Sequence, residues 1–470
     1  MLQKIKDFCL KYKLVIAMAI TSILLFLNLI DSSLERLSIA VIILLAFLMN
    51  VQEAFCYSMF LSAFSRVGLN FIVGMVACSV SVLGRYIFDL VKKRKKAFEL
   101  PLIMTLAIVL VYMFTDADIV SDGLIMGFLI IYILGITYFA FVYSKEINVS
   151  KCFNSILIGF IVSAVIGFGA SELFNASIDM FVFDGKNHRL QLLSYQMNNI
   201  TVHAVIHIAY AIYSLFNRKR KVWNDVIAII TFVILGALTL SKAFLITIAI
   251  IILISFILLI IKLKRKAIIP AGLIILFSII GVICFWPYIQ TVIDRFFVTY
   301  SNANLLSKIT TGRYEIWIHY LSDWAKYSKI TLLGAGLFVP DINNMSPHSV
   351  FIFILYRFGV VGLFMIAGLV MAYAKSSERK IKLNLSNWLV LATWLLLSLE
   401  EVVLSDQFAI YLFLGIILLL KDSCQNKNEN DRMEKTEEKA ELVETSKVES
   451  VEVSSKSKTK NKLTKNKSKI

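Results

Sequence analysis

Charge is scarce in this chain. Only 17% of its 470 residues are Asp, Glu, Lys or Arg, against about 25% in ordinary soluble domains. Such a chain cannot dress a water-facing surface over its whole length. Cysteine is also sparse. Cys9, Cys56, Cys78, Cys152, Cys284 and Cys424 form no CxxC pair or zinc spacing, so neither a metal site nor a disulfide framework is suggested. A cleavable leader is not legible: Lys11, Tyr12 and Lys13 precede an apolar run that reads as a first membrane span.

What the chain has instead is apolar length, at 58% hydrophobic residues. Long apolar runs satisfy their backbone in lipid only as helices or closed barrels. The runs do not alternate apolar with polar residues, so barrel strands are excluded. The expected fold is an all-α polytopic membrane protein. Spans read at 14–30, 37–50, 52–65, 69–91, 100–114, 123–143, 152–173, 197–216, 225–240, 243–261, 267–288, 349–374, 386–399 and 407–420. The third is short, and the ninth and tenth are separated only by Ser241 and Lys242, so about 12–14 transmembrane helices are predicted. Residues 1–420 form the membrane domain.

The net charge of +16 does not point to nucleic acid, because of where it lies. Basic clusters occur at Lys4–Lys13, Lys92–Lys96, Lys145/Lys151, Arg218–Lys221, Lys262–Lys266 and Lys375–Lys382. With the spans above, all six fall on one side, which the positive-inside rule makes cytoplasmic together with both termini. Asp31/Glu35, Asp116/Asp118/Asp122, Glu172/Asp179/Asp184 and Glu400/Glu401/Asp406 fall on the other. Stretches 174–196 and 289–348 and the Ser241-Lys242 hairpin are therefore external. Residues 421–470 have no aromatics and read as a disordered, charged cytoplasmic tail.

The longest polar interruption runs through the large external loop, Thr310 to Gly362. Tyr314, Trp317, Ile318, Leu321 and Trp324 recur at helical spacing, as on a helix lying in the membrane interface. Gly334-Ala335-Gly336 reads as a flexible loop. Ser346 and Pro347 fit the cap and first position of the next helix. That puts His348 in the first turn, where the dipole favours the neutral imidazole that a general base needs. An interfacial anchor and a structural histidine are the plainer readings of the same residues.

Arg189, Lys242, Arg313 and His348 all fall on the external side. Arg and Lys together suit a phosphate or diphosphate. A neutral His beside them suits group transfer from a phosphorylated lipid. The order of these residues resembles the bacterial O-antigen ligase and polysaccharide polymerase family. Leu238-Thr239-Leu240-Ser241-Lys242 is similar to its Ser-Arg element, with Lys in place of Arg. Thr311-Gly312-Arg313 with Trp317 resembles its Gly-Arg...Trp element, and Gly334-Ala335-Gly336 its Gly-x-Gly. His348 with Gly359 and Gly362 resembles its His-Asn...Gly-x-x-Gly, with Ser349 in place of Asn. Arg189 with Asn198-Asn199 resembles an Arg...Pro-Asn element without the Pro.

The resemblance implies a GT-C-like membrane enzyme with short interfacial helices in its external loop. It implies metal-independent, inverting glycosyl transfer without a cofactor on the outer face of the bacterial cytoplasmic membrane. Arg313, Lys242 and Arg189 would bind the donor diphosphate and His348 would be the catalytic base. The expected function is polymerisation of polyprenyl-diphosphate-linked oligosaccharide repeats into capsule, exopolysaccharide or O-antigen. Transfer of a finished glycan to another acceptor and transport of the same lipid-linked sugar are the alternatives. Expected partners are the lipid-linked oligosaccharide, the bilayer, and the flippase and chain-length regulator of the pathway, with no nucleic acid.

Other residues have plainer readings. Asp116-Ala117-Asp118 has DxD form but sits in a loop with Asp122, as a solvated turn does. His203 and His207 share a helix face without the Glu at 204 that a zincin needs, and read as a cavity-facing polar face. Arg357 lies within an apolar span and calls for an ion-pair partner, for which Glu400 or Glu401 is available. Gly359-Val360-Val361-Gly362 reads as close helix packing.

Overall fold

The computed structural model describes residues 11–65, 67, 69–93, 147–174, 176, 179–183, 188–193, 197–263, 281, 283, 286–299, 307, 310, 312–336, 342, 345–376, 385–399, 411 and 414–419. The expected spans 100–114 and 123–143, most of 267–288, the Asp116–Asp122 loop, Glu400, Glu401 and the tail from 421 lie outside the described residues. All elements below belong to one unit of the chain, Met1–Glu378 with Leu383–Leu418.

The first group of helices is α1 (Lys13–Ile30), α2 (Glu35–Leu48), α3 (Val51–Leu61), α4 (Leu69–Lys93) and α5 (Val149–Phe174). Helix α1 ends at Asp31, whose carboxylate accepts the Ser33 N–H at 2.9 Å and starts a 3-10 turn. That bond holds the Asp31 carboxyl below the usual carboxylate range. Helix α3 opens on a capping box: Asn50 Oδ1 accepts Glu53 N–H at 2.9 Å, and Glu53 Oε2 accepts Asn50 N–H at 2.8 Å. At ~16 Å long it is too short to cross a hydrocarbon core. Phe55, Cys56, Tyr57 and Phe60 are all fully buried, which makes α3 an internal helix wrapped by α1, α4 and α5. The expected span at 52–65 is therefore a core element. Tyr57 bonds Thr21 of α1 at 2.5 Å.

The second group is α6 (Met197–Asn217), α7 (Val222–Leu238), α8 (Lys242–Leu263) and α13 (Leu385–Leu397). Helix α6 is its axis, packing on α7, α8 and α13. Between α5 and α6 a two-stranded antiparallel hairpin intervenes, β1 (Phe181–Phe183) and β2 (His188–Leu190), with Val182 opposite Arg189. This hairpin adds a small β element to a fold read as all-α. Remaining elements are α9 (Trp286–Thr299), α10 (Arg313–Lys326), α11 (Ser328–Leu333) and α12 (Val350–Ser376). Short helices within 289–348 were expected, and α10 and α11 pack on α12.

The alternation of basic loops is reflected in the packing. Lys13 pairs with Glu53 at 2.7 Å. The neighbouring Gln52 accepts from Asn148 N–H, and Arg85 donates to the Met49 carbonyl. Arg220 donates to Asn154 Oδ1 at 2.6 Å, and Asn217 to Ser386 Oγ at 3.2 Å. These contacts gather the starts of α1, α3, α5 and α13 with the ends of α2, α4 and α6. Lys13, Lys92, Lys151 and the Arg218–Lys221 loop thus lie toward one end of the bundle. At that end Arg220 and Asp225 form a buried ion pair, and the guanidinium lies over the Tyr210 ring.

Four described helices are long and apolar enough to cross a membrane: Lys13–Ile30, Val149–Phe174, Asn198–Asn217 and Lys242–Ile261. The class of protein defined by these spans is an all-α membrane-embedded protein.

Candidate functional site

Arg189 and Lys242 meet at the turn between α7 and α8. Arg189 is buried, and its Nε donates to the Thr239 carbonyl at 2.6 Å. Another guanidinium nitrogen reaches Asn198 Oδ1 at 3.5 Å, at the edge of hydrogen-bond range. Thr239 Oγ1 bonds Thr201 Oγ1 at 3.0 Å, tying the turn to the start of α6. Leu240 adopts a left-handed φ of 50°, which reverses the chain so that Lys242 is the first residue of α8. The turn thus sets buried Arg189 on the carbonyl that caps the negative end of α7, and half-buried Lys242 at the positive end of α8. Arg189 and Asn198, nine residues apart in sequence, converge because the β hairpin folds back over this turn.

Arg313 and His348 belong to a second assembly. Gly312, with φ 79°, lets the chain enter α10 with Arg313 as its first residue. One turn on, Trp317 Nε1 donates to the Pro347 carbonyl at 2.8 Å. The backbone on either side of His348 is tied at several points. Met345 N–H closes a turn onto the Ile342 carbonyl at 3.0 Å, and Val350 N–H reaches the Ser398 carbonyl at 2.9 Å. His348 itself is half-buried with φ 46°.

That geometry corrects the expected cap. Ser349, not Ser346, offers the first helical carbonyl, which accepts Phe353 N–H at 2.9 Å. The Val350 N–H, which a helix capped at Ser346 would give to the Ser346 carbonyl, goes to Ser398 instead, and His348 is left-handed, so the helix starts after His348. His348 lies just before α12, not in its first turn, and the dipole argument for its neutrality does not carry over.

Helix α12 is broken at Gly359, with φ 62° and ψ −170°. The carbonyls exposed by the break are satisfied by the supposedly flexible glycine loop: Ala335 N–H bonds Tyr356 O at 2.8 Å, and Gly336 N–H bonds Arg357 O at 3.1 Å. Gly334 has φ 82° and ψ 169°. A Cβ there would meet Phe358 N at 2.6 Å, and one on Gly359 would meet Gly334 N at 2.5 Å. These two glycines are therefore required by each other's backbone. Buried Arg357 turns toward the same loop, with Nη1 3.4 Å from Gly336 O and its guanidinium over Phe353.

Along α6 and α13 the two assemblies lie away from the same contact, on the same side of it. Helix α13 starts at the α6 end marked by Asn217–Ser386 and packs along α6. A rise of 1.5 Å per residue puts Ser398 about 18 Å, and Thr201 about 24 Å, from that contact. Ser398 holds the start of α12 beside His348, and Thr201 holds the Lys242 turn, so the levels differ by about 6 Å.

His203 and His207 are not cavity-facing. Both are buried against Phe153, Phe160, Phe232 and Tyr411. His203 Nδ1 bonds the Tyr411 hydroxyl, and His207 Nδ1 bonds the His203 carbonyl at 2.8 Å. Among the described residues no group of three or more His, Cys, Asp or Glu is placed to hold a metal. Tyr320 and Asp323 escaped the sequence reading. Tyr320 is buried and Asp323 accepts the Tyr356 hydroxyl at 3.0 Å, while Ile318 and Leu321, assigned to the interfacial face, are exposed. The only available sequence signal was a Tyr one turn past Trp317.

Comparison of the chain with family models, with curated proteins and with solved structures finds no match in any of the three.

Proposed function

We propose that this protein is a membrane glycosyltransferase acting on a polyprenyl-diphosphate-linked oligosaccharide, and that it polymerises such repeats. The supporting observation is the buried Arg189 guanidinium on the Thr239 carbonyl beside Lys242, on the same side of the Asn217–Ser386 contact as His348. Buried cations near a bilayer core are expensive and are kept where an anion or a task requires them. In this reading Arg189, Lys242 and Arg313 hold the diphosphate and offset the charge that develops on it. His348 takes the proton of the acceptor hydroxyl as the new C–O bond forms at the anomeric carbon. The old bond breaks with its electron pair on the leaving diphosphate, so neither a metal nor a redox partner is required. The end carrying the basic loops faces the cytoplasm by the positive-inside rule, and the site faces outward from a bacterial cytoplasmic membrane.

The deciding experiment gives purified protein one polyprenyl-diphosphate oligosaccharide and resolves the products on a gel. A ladder of lipid-linked lengths that is lost in His348→Ala supports a polymerase. Product formed only when a separate acceptor is added favours a ligase. The break at Gly359 favours one further reading, a transporter, since transporters place unwound helices at their binding sites. Translocation of the labelled lipid without glycan growth in proteoliposomes would establish that reading and displace the enzyme.

A further inference from the structure

The residues before His348 are held by one helix face. Tyr320 Oη accepts Ile342 N–H at 3.1 Å and donates to the Met345 carbonyl at 2.8 Å. These are the two ends of the turn that Met345 N–H closes on Ile342 O. One hydroxyl therefore spans the turn, and two residues later Trp317 holds the Pro347 carbonyl. On the far side Val350 N–H is held by Ser398. The Tyr320 ring is fixed in turn, edge-on to Tyr356 with centroids 4.8 Å apart. The Tyr356 hydroxyl donates to Asp323, one turn further along α10. A left-handed φ of 46° is uncommon for a non-glycine residue and persists where its surroundings over-determine it. The pins on either side of His348 supply that determination.

We propose that Tyr320, with Trp317 as the adjacent pin, is a positioning residue that sets the place of the His348 imidazole through the backbone of Ile342, Met345 and Pro347. This rests on reading His348 as the base, and a direct measurement of backbone order separates the two ideas. Tyr320→Phe keeps the ring against Tyr356 and removes only the hydroxyl. Hydrogen exchange followed by mass spectrometry on 342–349 should speed up by tenfold or more, while α12 beyond Phe353 and the melting temperature in detergent stay as in the parent. With lipid-linked oligosaccharide as substrate, kcat should fall about 10- to 100-fold with KM within about twofold, the signature of a misplaced reacting group. If Tyr320→Phe is not monodisperse, Trp317→Phe should produce the same local exchange change. Parent-like exchange in 342–349, or faster exchange with kcat unchanged in an enzyme that needs His348, overturns the proposal. Full activity of His348→Ala would remove the base reading instead, and exchange would still show whether Tyr320 orders this backbone.

Discussion

Replacing Gly359 by alanine tests the account of the broken helix. At φ 62° and ψ −170° the residue occupies backbone space that is essentially reserved to glycine. Holding an L-residue there costs about 1–3 kcal/mol. The new Cβ would lie 2.5 Å from Gly334 N and 2.5 Å from Leu332 O. These are backbone atoms that cannot rotate away, and crowding of that kind adds about 1–3 kcal/mol. The loss of unfolded-chain freedom returns about 0.4–1 kcal/mol. The net expectation is a loss of about 1–6 kcal/mol. At about 2 °C per kcal/mol, that is a melting temperature lower by about 2–12 °C. The assay is thermal challenge in detergent followed by fluorescence-detected size-exclusion chromatography. Gly84→Ala is the control: a Cβ there has nothing within 4 Å, so helix propensity alone should leave it neutral or slightly stabilising. A Gly359→Ala protein that melts with the parent would refute the mutual requirement of the two glycines.

Other expectations follow from single contacts. His348→Ala should abolish glycan product while leaving a monodisperse protein; undiminished product would remove the base assignment. Lys242→Arg should be tolerated and Lys242→Ala should not, if that side chain clamps a phosphate; equal activity of both variants would show that it does not. Arg220→Ala leaves Asp225, fully buried, without its counter-charge and should cost about 3–5 kcal/mol, seen as a large fall in melting temperature without a specific loss of turnover. Reporter fusions within 313–336 should report an external location; a cytoplasmic signal would sink both the topology and the mechanism.

Much of the architecture was legible along the chain. Apolar runs marked α1, α5, α6 and α8, because a spanning segment must be long and apolar wherever it packs. Alternating basic loops anticipated which helix ends would gather, as Lys13–Glu53 and Asn154–Arg220 do. The turn before Lys242 stood out as two polar residues between two spans. The break at Gly359 was not legible, because the glycine pattern also fits tight helix packing. Neither was the aromatic setting of His203 and His207, since polarity at helical spacing does not reveal what faces it. Ser346-Pro347 carried a valid helix-start signal and still lost, because Ser398 claims the Val350 N–H and His348 turns left-handed.

Composition and periodicity by themselves determined the class of fold, four of its long apolar helices and which helix ends gather. These follow from each residue's own transfer between water and lipid, a property local to the chain. Only the tertiary structure decided that Arg189 meets the Lys242 turn, that α3 is a core helix, that Gly334 and Gly359 share one approach, and that Tyr320 holds the backbone before His348. Each of these depends on hydrogen bonds and contacts between segments distant in sequence, which no local pattern encodes.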